Sequence, residues 1–547
     1  MNQETRKSAI FNAMAVILIV IFCINLTPIT FQNDTFYTIK IGEYITEHGV
    51  TMQEPFAWHE NLKYTFPHWA YDVCIYLIYS VGGLAGIYIS TFILASILGL
   101  LMYYTNVKLV RNRSISFIIT IATLYLMKDF ICARAQLVTF ILFILTIYFI
   151  ENFLKTKKIR YAIGLIIIPI LIANLHVATF YFYFILYLPY LAEYAFYVLE
   201  SCNVIICGSI IESIKKKIAK NGETEELALK LQTEEARYNK IKQKLDQKLE
   251  NPYKIKINYN TNIKWLLIIM IICIFSGFLT PLGDVPYTYF IKTMQGISTK
   301  NISEHLPVIL ANNYKLFTVL VVYIGIIAFT KIKVRLSDLF MFLGLTFLAI
   351  NSRRQASMLY LIGCFIANRM ITEIFIEYYK EEGLKKLEDT LSSVLSIIII
   401  TASIITCSLL LYKEKMNNIY IDEQHYPVQA AEWIKNNLNL EEIKLYNEYN
   451  YGSYLLYKGI PVFVDSRCDL YMPEFNDNVY VFKDFLDING MNIDNVEEKL
   501  NEYGFTHFIL IRGNKLKNYI KSKPDKYKKI YPINGIIDPY FTIYEKI

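Results

Sequence analysis

The side chains able to do chemistry in this chain are few, and most sit at the ends of apolar stretches. Asp34, in Asn33-Asp34-Thr35-Phe36-Tyr37, follows the first such stretch by a few residues. A carboxylate there can take a proton from an acceptor hydroxyl or hold a divalent cation, magnesium or manganese. Arg134, Arg353 and Arg354 carry guanidinium forks, which bind phosphate oxygens bidentately. Lys40, Glu54, His68, Gln136, His176 and Glu304 occupy similar positions and are further pocket candidates. In the tail, Asp465 and Arg467 end a predicted strand, where α/β sheets tend to place ligands. Each has a structural alternative. Asp34 can cap the helix-like run Tyr37 to Glu47 that Gly49 closes. An arginine at a span end can snorkel, a lone histidine can be structural, and Asp465 with Arg467 can be an internal pair that fixes a loop.

The elements that must position these groups are hydrophobic helices. Of 547 residues, 54% are hydrophobic and 19% charged, against roughly 25% charged in an ordinary soluble domain. Apolar runs of helix length recur, which predicts a polytopic α-helical membrane protein and not a β-barrel of short alternating segments. The net charge of +7 is too small an excess to point to nucleic acid. Nine scattered cysteines form neither a metal-ligand spacing nor a disulfide framework. The first apolar run, Ile10 to Leu26, follows Arg6 and Lys7 but has no small-x-small cleavage pattern after it, so it reads as a retained span.

Counting apolar runs gives about eleven transmembrane helices, and the Lys/Arg bias of the loops places the N-terminus in the cytoplasm. Residues 1–412 then form the membrane domain, with a long outer loop at 27–72 and a charged, helical cytoplasmic insertion at 201–262. Residues 413–547 are polar, alternate helical and strand-like patterns, and read as a soluble extracytoplasmic α/β domain with a small parallel sheet. On this topology, the candidate groups of the membrane domain all fall on the outer side, and ionisable residues within spans are nearly absent. Ion-coupled transport usually needs charges near the midplane. A polar cavity at the outer membrane face instead suits a substrate with a lipid tail and a water-seeking head.

The chain resembles the GT-C superfamily of membrane glycosyltransferases. The relevant strings are Asn33-Asp34 through Ile41-Gly42-Glu43-Tyr44 to His48-Gly49, then Arg134-Ala135-Gln136, Asn174-Leu175-His176, Ser303-Glu304-His305-Leu306-Pro307 and Arg353-Arg354. In the tail they are Asn447 to Leu455 and Val464-Asp465-Ser466-Arg467-Cys468-Asp469-Leu470-Tyr471. The first looks like the acidic first-loop motif of oligosaccharyltransferases and protein mannosyltransferases, although Asn33-Asp34 stands where the latter have adjacent Asp and Glu. The resemblance implies a sugar donor linked to polyprenyl phosphate or diphosphate, used at the outer face of the plasma or inner membrane in cell-envelope glycan or glycoconjugate assembly. Asp34 would be the catalytic carboxylate, Arg134 and Arg353 would face the donor phosphate, and a glycan or protein would be the acceptor. Two rival readings are a transporter or flippase for a lipid-linked glycan, and a non-catalytic membrane protein that binds envelope glycans.

Overall fold

The computed structural model describes residues 3–222, 224–249, 254–258, 260–533 and 538–547. It is a helical bundle followed by a smaller mixed domain. Among the described residues, six helices are long and apolar enough to cross a membrane: Ser8–Leu26, Trp69–Val110, Ala135–Thr156, Val177–Lys220, Arg353–Leu391 and Val394–Lys415. Five shorter apolar helices, Arg113–Leu126, Ile159–Leu175, Ile263–Phe278, Tyr314–Phe329 and Leu336–Asn351, pack among them. The chain is thus a multi-pass membrane protein, and its apolar helices coincide with the runs read from the sequence. Their exposed faces carry side chains such as Ile167, Ile271, Val321 and Ile398, the pattern of a bundle whose solvent is lipid.

The long loop at 27–72 is itself structured. Its first part is the helix Asn33–His48, terminated by Gly49 at φ 75°. It packs on the opening turns of the helix Trp69–Val110, which changes direction at Gly83 (φ 58°). The apolar segment 73–81 and the following span are therefore one helix with a kink, because Gly83 adopts a backbone angle other residues resist. Gly42 fixes how closely the two helices approach: a Cβ there would lie 2.1 Å from the Asp72 carbonyl oxygen.

The charged insertion is an antiparallel pair. The helix Leu188–Asn221 runs on from the sixth apolar stretch, and Glu225–Leu249 returns beside it. At that end of the bundle Glu151 accepts from Arg335 and Tyr190, while Arg369 pairs with Asp338. These charges answer one another across four helices.

Beyond Lys415 the chain forms a four-stranded sheet in the order Leu445–Tyr446, His507–Ile511, Phe541–Lys546, Tyr527–Tyr531. Only the first pair is parallel; the other two are antiparallel. The small parallel sheet expected from the sequence is thus mixed, because the last two strands are joined by a short return connection, which fits antiparallel neighbours. The predicted strand at 461–465 also differs. Val462 makes a single bridge to Ala57. The Phe463 amide and the Val464 carbonyl are satisfied by the side-chain amide of Asn447 instead of by a neighbouring strand. The 27–72 loop and this domain share one continuous apolar core, which includes Phe36, Tyr64, Phe66, Tyr454 and Val464.

Candidate active site

Three loops and one helix end converge at the end of the bundle that faces the mixed domain. Asp34 lies in the first turn of Asn33–His48, one residue inside it. Gln32 is the capping residue, and its side chain makes no cap hydrogen bond. Asp34 is therefore not an N-cap, and its carboxylate turns outward to Arg134, with Oδ2 3.0 Å from Nη2. Thr35 ties this turn down by donating to the Ala133 carbonyl (3.3 Å). Arg134 opens the helix Ala135–Thr156. Its other terminal nitrogen, Nη1, donates to both oxygens of Glu304 (3.1 and 3.3 Å). Glu304 is held by backbone pairing: the Arg354 amide donates to the Glu304 carbonyl (3.0 Å) and the Arg353 amide to that of Leu306 (3.1 Å).

Asp34, Arg134, Glu304, Arg353 and Arg354, scattered over three hundred residues of sequence, are thus brought together. A cavity of about 470 Å³ opens on them, lined by Arg134, Gln136, Glu304, Arg353, Arg354 and Lys315, with Leu126, Phe130 and Tyr360 as its apolar wall. Asp34 borders it through Arg134. Among the described residues, the Nε atoms of Arg134 and Arg353 are buried without a hydrogen-bond partner. Buried donors are normally satisfied, so two unpaired guanidinium N–H groups beside a cavity are consistent with an oxygen-rich ligand.

The electrostatics follow from this crowding. Burial opposes the charge of Arg134, but Asp34 and Glu304 outweigh it and hold the guanidinium firmly protonated. Burial would raise the Glu304 carboxyl; Arg134 and Arg354 more than offset that and keep it below the ordinary carboxylate value. Burial and Arg354 push His305 down to about 4, and burial with Arg354 also holds His176 well below its usual value, so both are neutral imidazoles at pH 7.

The other sequence candidates separate into three groups. Gln136 lines the cavity and donates to Ser357 (3.5 Å). His176 is buried just behind it, on the hydroxyl of Thr139 (2.8 Å). His68 lies 6.5 Å from His176, ring to ring, with Nδ1 2.6 Å from Asp72 and Nε2 2.9 Å from the Tyr37 hydroxyl. Burial alone would lower His68, but Asp72 wins and raises it. Lys40 is elsewhere: it pairs with Glu43 in a separate groove beside Tyr79 and Lys458. Glu54, Asp465 and Arg467 are also outside the cavity. Arg467 is clamped bidentately by Asp465 (2.9 and 2.7 Å) and bonds both oxygens of Glu54, with side chains at most 1% exposed. The structural alternative for Asp465 and Arg467 is the one the geometry has, with Glu54 as an added partner, because a buried guanidinium needs its charge and its donors answered locally.

Two residues of the site escaped the sequence reading. Lys315 lines the cavity and pairs with Asp129 (3.4 Å). Its signal was available, since it too is a cation at the end of an apolar helix. Tyr37, one helical turn from Asp34, was signalled only by that spacing.

A divalent cation at Asp34 needs several oxygen ligands. Among the described residues no group of three or more His, Cys, Asp and Glu side chains is arranged to hold a metal. Asp34 and Glu304 instead flank one guanidinium, so the described side chains do not fit a cation as they stand.

No protein-family model and no curated protein matches the chain. Solved structures do. The archaeal oligosaccharyltransferase AglB from Archaeoglobus fulgidus, in complex with an inhibitory peptide and a dolichol-phosphate, matches over 95% of this chain and 70% of its own, with a TM-score of 0.55 at 11% identity. The fold is that of this oligosaccharyltransferase. The apo form of the Archaeoglobus fulgidus oligosaccharyltransferase gives a TM-score of 0.53 at 10% identity over 92% of this chain and 69% of that one. At this identity the likeness is one of architecture: a helical bundle with a further domain packed on one end.

Proposed function

We propose that this GT-C-fold protein is a membrane glycosyltransferase. It takes a sugar from a polyprenyl-phosphate-type donor at the extracytoplasmic face and passes it to a glycan or protein acceptor of the cell envelope. The observation that carries this is the cavity with unpaired guanidinium N–H groups, placed against Asp34 at the end of an apolar bundle. The dolichol-phosphate and peptide bound by the archaeal protein support the same class of ligands.

In the reaction, the bond between the anomeric carbon and the phosphate oxygen breaks, and a bond from the acceptor oxygen to that carbon forms. Negative charge grows on the phosphate, where Arg353 and Arg354 stabilise it. The acceptor proton passes to the Asp34 carboxylate, which Arg134 orients. The apolar wall of Leu126, Phe130 and Tyr360 accommodates the start of the isoprenoid. The test is transfer from a polyprenyl-phosphate-linked sugar by purified protein in liposomes. Asp34→Asn should abolish it while the thermal melt stays near wild type; full activity in that variant ends the assignment of Asp34.

A further inference from the structure

The charge of the cavity selects among donors, and this step rests on the reading of the cavity as a lipid-phosphate site. Its cations are Arg134, Arg353, Arg354 and Lys315. Its carboxylates are Glu304 and Asp129 in the lining, with Asp34 bound to Arg134 from the side. The nearby His305 and His176 are neutral. Four cations against three carboxylates leave a net charge of +1: Arg134 with Asp34 and Glu304 amounts to −1, Lys315 with Asp129 to zero, and the Arg353–Arg354 pair carries +2. Arg134 is spoken for on both terminal nitrogens, and Lys315 lies 3.4 Å from Asp129.

A sugar joined to an isoprenoid through a single phosphate is a phosphodiester with one negative charge. The same sugar joined through a diphosphate carries two. In a partly buried site, unbalanced charge is what costs most. A diphosphate would leave the site with one negative charge in excess, and the usual source of the missing counter-charge is a divalent metal. The two carboxylates that could recruit one, Asp34 and Glu304, are already held on opposite edges of the Arg134 guanidinium. We propose that the site is built for a monophosphate-linked donor, an isoprenoid phosphodiester of a sugar, and that Arg134 provides the positive charge a metal would otherwise bring between these two carboxylates.

The experiment measures binding of two probes, farnesyl phosphate methyl ester and farnesyl diphosphate methyl ester, to purified full-length protein in nanodiscs. Each is titrated with EDTA and again with magnesium or manganese. The expected result is at least about tenfold tighter binding of the monophosphate ester, the scale of one charge-assisted contact, and no gain for either probe with metal. Glu304→Gln and, separately, Asp129→Asn each free one more positive charge and should narrow or invert the preference. Two substitutions guard against one of them disturbing the fold. Tighter binding of the diphosphate ester by wild type, with or without metal, overturns the monophosphate assignment and leaves the glycosyltransferase reading standing. An unchanged preference in both variants overturns the charge argument itself. Failure of both probes to bind wild type overturns both readings.

Discussion

Arg134 carries the largest share of the site's organisation. One guanidinium holds two carboxylates from distant segments, Asp34 and Glu304, on opposite edges. Arg134→Gln should therefore do more than weaken one contact. It leaves two acidic groups side by side without their counter-charge, and transfer should fall by roughly a hundredfold or more, the loss seen when a preorganised charge is removed. Initial rates in liposomes measure this. Glu304 sets the acid limit. Its carboxyl lies below the ordinary value when folded, so its contribution is present in full above the unfolded carboxylate range and is lost as pH falls through the depressed value. Glu304→Gln should flatten the acid side of the thermal-stability profile and leave the neutral side little changed. Melting temperatures across an acidic pH series check it. At this scale the sequence was legible through polarity: a cation at the wrong end of a span needs a reason, and that argument found Arg134, Arg353 and Arg354. It did not separate Lys40 and Arg467 from them: Glu43 stands at helical i,i+3 spacing from Lys40 and was a readable partner, whereas Glu54, the partner of Arg467, becomes visible only in three dimensions.

At the scale of elements, the site depends on how the helix Asn33–His48 lies against the opening turns of Trp69–Val110. Gly42 permits that contact. Gly42→Ala would put a Cβ 2.1 Å from the Asp72 carbonyl, and the forced separation should destabilise by about 1–3 kcal/mol. It should also disturb the His68–Asp72–Tyr37 contacts. Denaturation midpoint and transfer rate should drop together. Apolar length made the helices of the bundle readable. The strand expected at 461–465 failed for a specific reason: Asn447 replaces a neighbouring strand with its own amide, and no periodicity rule reports such a substitution.

The whole molecule is joined at the Glu54–Arg467–Asp465 cluster, which links the first loop to the mixed domain. Arg467→Ala abandons two buried carboxylates, and the cost should be about 3–5 kcal/mol. The domain should loosen from the bundle, seen as new proteolytic cleavage between 413 and 470. The combined Glu54→Gln, Asp465→Asn, Arg467→Met variant, with no charge left to strand, should recover most of the loss. The helical membrane bundle was anticipated because apolar runs of span length recur along the chain. The mixed sheet and the junction were not, since they depend on long-range pairings that local patterns do not encode.

The most direct measurement is photocrosslinking with an isoprenoid phosphodiester that carries a diazirine on its first isoprene unit. Labelled peptides are mapped with and without excess unlabelled farnesyl phosphate methyl ester. Labelling should concentrate on Leu126, Phe130 and Tyr360, fall with competitor, and fall again in Arg353→Ala. Labelling that is spread over the lipid-facing helices, or that no competitor reduces, would contradict a lipid-phosphate site at Arg353 and with it the chemistry assigned to Asp34.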